Sequence, residues 1–197
     1  MYQPITFDGT KTFFVLGMRR SGTSFLRQLI MENPDIKNVL FEPHELIFAA
    51  QSIDIKRYRK SEYHFNALQQ LESKDLWMGA KIVGNPGIEF FNWKWLAMKF
   101  PEAKFVFIRR DVNSTYNSWI KNETSPRGTI SLPMYHDWWR ETYNAFYLFM
   151  AANPDRCCHI EYEDLLKDVN KELTEVEELL KIQPFRNLQH MVEKPNN

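Results

Sequence analysis

Gly17-Met18-Arg19-Arg20-Ser21-Gly22-Thr23-Ser24 is the stretch whose residue types and spacing carry the most chemistry. It follows Thr12 to Leu16, a run of β-branched and aromatic residues that reads as a buried parallel strand. It opens Ser24 to Met31, where apolar residues recur at helical spacing until Asn33-Pro34 stops them. The glycines near either end let the backbone curl and turn successive N–H groups inward. The helix start adds partial positive charge, so the turn suits an anion such as phosphate.

The G-x4-G-x-S spacing is also that of loops that bind nucleoside triphosphates, but the Lys expected before Ser24 is Thr23. That Lys would contact the β- and γ-phosphates; here a basic residue, Arg20, lies inside the loop instead. A magnesium-binding partner strand would end in Asp. The strongest strand signal, Lys104 to Ile108, ends in Arg109-Arg110. Two basic elements without an obvious metal carboxylate suit a ligand phosphorylated at two places. ATP with magnesium is a poor fit.

These residues must be positioned by the elements around them. Short strands are expected at Val39 to Phe41, Trp77 to Val83 and His159 to Tyr162, besides the two already named. Helices are expected over most of His44 to Asp75, over Phe90 to Lys99, Asn113 to Ile120, Tyr135 to Met150 and Val169 to Leu180. Lys121 to Pro133, with Pro126, Gly128 and Pro133, reads as a long loop of the kind that forms lids. Alternating strands and helices imply an α/β domain with a mainly parallel central sheet flanked by helices. One domain is expected over 1–197, with its core at about 12–182 and a loosely held polar tail from Gln183 to Asn197.

Composition excludes several classes. The 197 residues are 44% hydrophobic and 15% aromatic, which rules out a disordered chain. Lys+Arg and Asp+Glu number 25 each, so no broad basic face is expected to wrap nucleic acid. No window reaches the roughly 18 uninterrupted apolar residues of a membrane span. Met1 to Lys11 shows no secretory signal, so a soluble cytoplasmic protein is the default. Cys157 and Cys158 are adjacent and read as structural thiols in a reducing compartment. His64, His136, His159 and His190 lack metal-ligand spacing. Trp93, Trp95, Trp138 and Trp139 read as core, and Lys56 to Lys60 as a solvated basic face.

Three segments together resemble one family. Arg20-Ser21-Gly22-Thr23-Ser24-Phe25-Leu26 is similar to the 5′-phosphosulfate loop of sulfotransferases that use 3′-phosphoadenosine 5′-phosphosulfate (PAPS). That loop reads as a basic residue, Ser or Thr, Gly, Thr, Thr or Ser, any residue, then Leu. Arg110 with Ser118 eight residues later resembles the family's 3′-phosphate motif. Starting from Arg109, the eighth residue is Asn117, which could also bond phosphate, although Arg110-Asp111 with Ser118-Trp119 matches better. Tyr162-Glu163-Asp164-Leu165 is similar to a recurrent segment whose Tyr lies by the adenine.

The resemblance implies a three-layer, phosphate-loop-like fold and sulfuryl transfer from PAPS, with 3′,5′-adenosine diphosphate as product and no metal required. It implies that Arg20 neutralises the phosphosulfate and that Ser21, Gly22, Thr23 and Ser24 hold the 5′-phosphate. Arg19 stands where relatives often have Pro and adds charge nearby. Arg110 and Ser118 clamp the 3′-phosphate, and Tyr162 neighbours the adenine. A general base must take the proton of the acceptor hydroxyl or amine. Glu42, at the end of a predicted strand, is the first candidate and His44 the second; Glu45 reads as helix surface. Lys81 is similar to a strand Lys of many relatives and could stabilise the transferring group. The basic, glycine-containing C-terminal segment of many cytosolic relatives is missing, with only Arg186 or Lys194 as substitutes, and the short chain implies an open acceptor site or one completed by a second subunit. The acceptor, a small molecule or glycan with lipid and peptide also open, is not identified by these residues. The other readings are a kinase with a degenerate loop and a non-catalytic nucleotide-binding protein.

Overall fold

Phe13, Phe14, Val15 and Leu16 are all fully buried, so neither face of their strand meets water. Only a strand covered on both sides can bury such a run. The computed structural model describes residues 10–41, 71, 73–84, 96–98, 100–122 and 130–193. In it β1 (Thr12–Met18) is the middle strand of a five-stranded sheet. The order is β2-β3-β1-β4-β5, with β2 at Ile36–Phe41, β3 at Trp77–Gly84, β4 at Lys104–Arg109 and β5 at Cys157–Glu161. Every pairing is parallel.

Side chains alternate across the sheet. Phe13 and Val15 enter one core with Leu26, Leu29 and Ile30 of α1 (Thr23–Met31) and Leu173 and Val176 of α5 (Val169–Leu180). Phe14, Leu16 and Met18 enter the opposite core with Trp119 of α2 (Val112–Asn122) and Tyr135, Tyr143 and Phe146 of α3 (Leu132–Ala152). Two short helices, α4 (Tyr162–Lys167) and α6 (Gln189–Glu193), and a 3-10 turn at Pro154–Arg156 are described besides. The result is the expected three-layer α/β arrangement around a parallel sheet. Among the described residues no helix is long and apolar enough to cross a membrane.

The strand order reverses beside β1. The chain goes from β1 through α1 to the β2 edge, pairs β3 between β2 and β1, then places β4 on β1's other side. In open parallel sheets a crevice forms at such a reversal, outside the carboxyl ends of the strands. Here the β1–β4 register runs to Leu16 opposite Phe107. Past it the Tyr143 hydroxyl donates to the Ile108 carbonyl at 2.9 Å and lies 3.5 Å from the Met18 amide, bridging the two strand ends. Complete burial raises the pKa of this phenol, keeping it a neutral donor.

Several boundaries differ from the sequence reading. Lys121 and Asn122 finish α2, and Leu132 and Pro133 form the first turn of α3, so the expected loop of 121–133 is shorter. Pro133 is compatible with that turn because the first helical amides need no intrahelical acceptor, and Ser131 caps the Met134 amide. Tyr162 opens α4 instead of closing β5. Leu71 lies in a turn and residues 74 and 75 in a bend rather than helix, and the Ser73 carbonyl accepts from the Lys11 amide. Residues 44–70 and 72 of the expected helix from His44, with the basic cluster Lys56 to Lys60 and His64, lie outside the described residues, as do Trp93 and Trp95. Cys157 and Cys158 are free; burial pushes the Cys157 thiol up to about 12 and the Cys158 thiol well above its ordinary value.

The tail differs most. Asn33 Nδ2 donates to the Gln183 carbonyl at 2.7 Å, and the Gln183 amide donates to Asp35 at 2.8 Å. The Phe185 amide donates to Glu177 at 2.7 Å, and the Val169 amide to Gln189 at 3.2 Å. Phe185 and Leu188 are buried beside α5, so residues 183–193 form part of the packed fold. Polar composition hides this because a few apolar side chains, Phe185 and Leu188 buried and Met191 and Val192 half-buried, do the packing. Phe185→Ala is expected to cost about 2–3 kcal/mol in denaturant unfolding; a loss below about 0.5 kcal/mol, as at a surface position, would show that the segment carries no packing load.

Candidate active site

The turn from β1 into α1 determines the site. Arg20 has φ 78° and Gly22 φ 97°, both left-handed, a conformation that costs a side-chain-bearing residue about 1–2 kcal/mol. Gly22 is required for a second reason, since a Cβ there would meet the Tyr162 ring at 2.3 Å. The Ser21 amide closes the turn on the Met18 carbonyl at 3.0 Å. Asp111, Ser131 and Asp168 cap α2, α3 and α5 through side-chain oxygens. α1 has neither a capping side chain nor an acidic residue in its first turn. Its leading amides therefore keep their positive end directed at whatever occupies the turn.

A cleft of about 350 Å³ opens there, lined by Arg19, Arg20, Gly22, Thr23, Ser24, Phe25, Phe41, Lys81, Val83, Arg110, Ser118 and Tyr162. The fold thus gathers nearly every described residue that the sequence singled out. Ser21 is the exception: it is fully buried, and a Cβ at Gly17 would lie 2.5 Å from its Oγ. Its hydroxyl is buried beside Gly17 and has no hydrogen-bond partner among the described residues, away from the lining of the cleft. Thr23 lines the cleft while itself buried, and Ser24 is exposed to it.

Lys81 is no edge residue. It lies on β3, between β2 and β1, and is only 2% exposed. A lysine this buried must be held by partners. Its Nζ donates to Ser24 Oγ at 2.9 Å and sits 3.8 Å from the centroid of the Phe41 ring. Phe41, the last residue of β2, also has the Arg27 guanidinium 5.8 Å from its ring. Sequence reasoning assigned no role to Phe41. Its signal was available only as a large apolar residue at a strand end, which lies 59% exposed in the fold.

The other side of the cleft comes from the segments that follow β4 and β5. Arg110 follows β4 directly; its Nη1 lies 3.4 Å from the Arg20 carbonyl and its guanidinium 4.6 Å from the Tyr162 ring centroid. Its Nε is buried without a hydrogen-bond partner. Ser118, on α2, lines the same cavity. Of the two arginines, Arg110 lines the cleft and Arg109 does not. Arg109 pairs with Glu161, with Nε 3.1 Å from Oε2, and its guanidinium lies 5.7 Å from each of the Trp139 and Tyr147 rings. Burial works against the Arg109 charge, but the hydrogen bond and charge of Glu161 outweigh it and raise its pKa. Asn117 is exposed and does not line the cavity. Nearby, burial lowers the pKa of His159, whose Nε2 lies 3.6 Å from Glu161. Glu42 and His44, the two base candidates, lie outside the described residues; Phe41 immediately precedes Glu42 in the chain.

Cationic groups line the cleft from two sides: the α1 turn with Arg20 and Lys81 on one, and Arg110, near Ser118, on the other, with the Tyr162 ring against the Arg110 guanidinium and close to Gly22. A search of curated proteins finds no match to the sequence. Among solved structures, the sulfotransferase domain of the Synechococcus PCC 7002 olefin synthase is similar at TM-score 0.68 and 16% identity. That similarity covers 100% of this chain and 82% of that one. Mouse sulfotransferase SULT7A1, complexed with PAP, is similar at TM-score 0.63 and 16% identity over 95% of this chain and 64% of that one. A sulfotransferase from Alicyclobacillus acidocaldarius gives TM-score 0.60 and 17% identity over 93% and 83%. At such identities these likenesses establish the fold. The family model described as the sulfotransferase family matches residues 51–186, more than half of the sequence. That span includes Lys81, Arg110, Ser118 and Tyr162, while the α1 turn precedes it and joins them through the fold: the chain belongs to the sulfotransferase family.

Proposed function

We propose that the sulfuryl donor is PAPS and that this cleft holds it across both poles, with the 5′-phosphosulfate at the α1 turn and the 3′-phosphate at Arg110 and Ser118. The observation that carries this reading is the pairing of an uncapped helix N-terminus with a second cation whose Nε is buried and unpartnered. One pole would serve any mononucleotide phosphate. Two poles separated by an aromatic ring fit a nucleotide phosphorylated at both ends.

PAPS supplies the sulfuryl group, bonded to its 5′-phosphate. The acceptor oxygen or nitrogen forms a bond to sulfur as the bond from sulfur to the 5′-phosphate oxygen breaks. Charge accumulates on that departing phosphate, where the α1 amides, Arg20 and Lys81 supply fixed positive potential. Ser24 binds Lys81 and, in this reading, hands its ammonium to the phosphosulfate. The acceptor proton passes to the carboxylate of Glu42, with His44 as the competing base. Tyr162 borders the adenine, and Arg19 adds positive potential at the mouth of the cleft. Phe41 and Val83, on the β2–β3 side, border the direction from which the acceptor enters. The acceptor is a small molecule or glycan bearing a hydroxyl or amine.

Calorimetric titration with 3′,5′-adenosine diphosphate, 5′-ADP and magnesium-ATP tests the donor. The 3′-phosphorylated nucleotide is expected to bind most tightly and without metal. Arg110→Ala is expected to weaken it about 10- to 100-fold, the worth of one charge-assisted contact. Preference for magnesium-ATP would instead support a kinase with a degenerate loop.

The base is tested by turnover with a hydroxyl acceptor found by screening. Glu42→Gln is expected to lower kcat about 10²- to 10⁴-fold, with the affinity for 3′,5′-adenosine diphosphate retained. A rate loss confined to His44→Gln would transfer the role to His44.

A further inference from the structure

Arg110 and Tyr162 are bracketed by two ties between their chain neighbours. Arg109 and Glu161 are register partners in the β4–β5 ladder, and their side chains form a two-point ion pair. Two residues further along both chains, the Asp111 amide donates to Glu163 Oε1 at 3.1 Å. Residues 109 and 111 are thus bound to 161 and 163, while the residues between them, Arg110 and Tyr162, line the cleft in cation–π contact. The Trp139 indole N–H donates to the Arg110 carbonyl at 3.2 Å, which fixes the backbone at the same point.

We propose that Glu161 and Glu163 are positioning residues that set the recognition of the 3′-phosphate by holding Arg110 against Tyr162. Neither glutamate lines the cleft. Each acts through backbone and neighbouring side chains: Glu161 aligns the end of β4 with the end of β5, and Glu163 ties the start of α2 to α4. Without the first tie the two strand ends separate, and with them the guanidinium and the ring. Without the second, the Asp111 amide loses its acceptor at the junction that sets the direction of α2 and hence of Ser118. Tyr162 also closes over Gly22, so the same ties set the width of the cleft between its two poles. Carboxylates beside a cationic cleft would by themselves oppose an anionic ligand. Their engagement by Arg109 and by the Asp111 amide is what makes them supports.

The inference rests on the donor reading above, and the test separates the two. Dissociation constants for 3′,5′-adenosine diphosphate and 5′-AMP are measured on the full chain, for the wild type, Glu161→Ala and Glu163→Ala. The wild type is expected to prefer the 3′-phosphorylated nucleotide. In each variant that preference is expected to fall about tenfold, through weaker binding of the bisphosphate, while 5′-AMP affinity stays within about twofold. Glu161→Ala leaves Arg109 without its partner, so melting temperatures are recorded alongside. Glu163→Ala, which removes only the second tie, keeps the test valid if Glu161→Ala fails to fold, and Glu163→Gln, whose amide oxygen can still accept from the Asp111 amide, is expected to retain the preference. An unchanged preference in Glu163→Ala, or equal weakening of both nucleotides, would overturn the proposal while leaving the donor reading intact. A wild type indifferent to the 3′-phosphate would overturn both.

Discussion

The reversal of the chain from β1 into α1 is the constraint on which the rest depends. A parallel strand buried on both faces must hand the chain to a helix within a few residues, and the turn must pass over the carboxyl end of the sheet. Left-handed backbone at Arg20 and Gly22 achieves this and leaves the first amides of α1 without acceptors. Capping them with an internal side chain, as in α2, α3 and α5, would have been the stabilising solution for the folded chain alone. Leaving them open, with a strained arginine beside them, is consistent with a structure completed by an anion. Strain retained at such a turn is a common mark of a binding site.

Around that turn the strand order distributes the remaining chemistry. Because β3 and β4 flank β1 on opposite sides, Lys81 and Arg110 approach one cleft from two directions. The β4–β5 side contributes Arg110 and Tyr162, with Ser118 from the helix after β4. The β2–β3 side contributes Phe41, Lys81 and Val83. This division gives the cleft two chemically unlike ends, and sulfuryl transfer needs two: one that binds the donor tightly and one that admits an acceptor. Tyr143 holds the two central strand ends together where their own ladder stops, so the crevice keeps its shape without backbone pairing.

Not all of the site was legible in the sequence. Lys81 was recognised as a candidate, but its burial depends on β3 being an interior strand, and strand order is not written in local spacing. Its partner Ser24 is 57 residues away. Ser21 shows the reverse case: the motif assigns it to the ligand, and the curl of the turn sends its hydroxyl inward. The packing of residues 183–193 is not legible in composition, which averages over residues, whereas Phe185 and Leu188 act individually once α5 presents a surface for them.

By itself the sequence determined the strand–turn–helix whose glycines and helix start suit an anion, the absence of the usual triphosphate lysine and strand-end aspartate, and the alternation that makes a three-layer parallel fold. These are local properties, carried by residues within one or two turns of each other, and backbone sterics and hydrophobic periodicity suffice to read them. The tertiary structure alone decided that Arg110 faces the cleft while Arg109 is consumed by Glu161, that Tyr162 closes on Gly22, and that Phe41 covers Lys81. Adjacent residues on an extended chain point in opposite directions, so which of two arginines meets a ligand depends on which face the neighbouring strand and helix occupy. That neighbour is more than fifty residues away, and only the packed sheet brings it into contact.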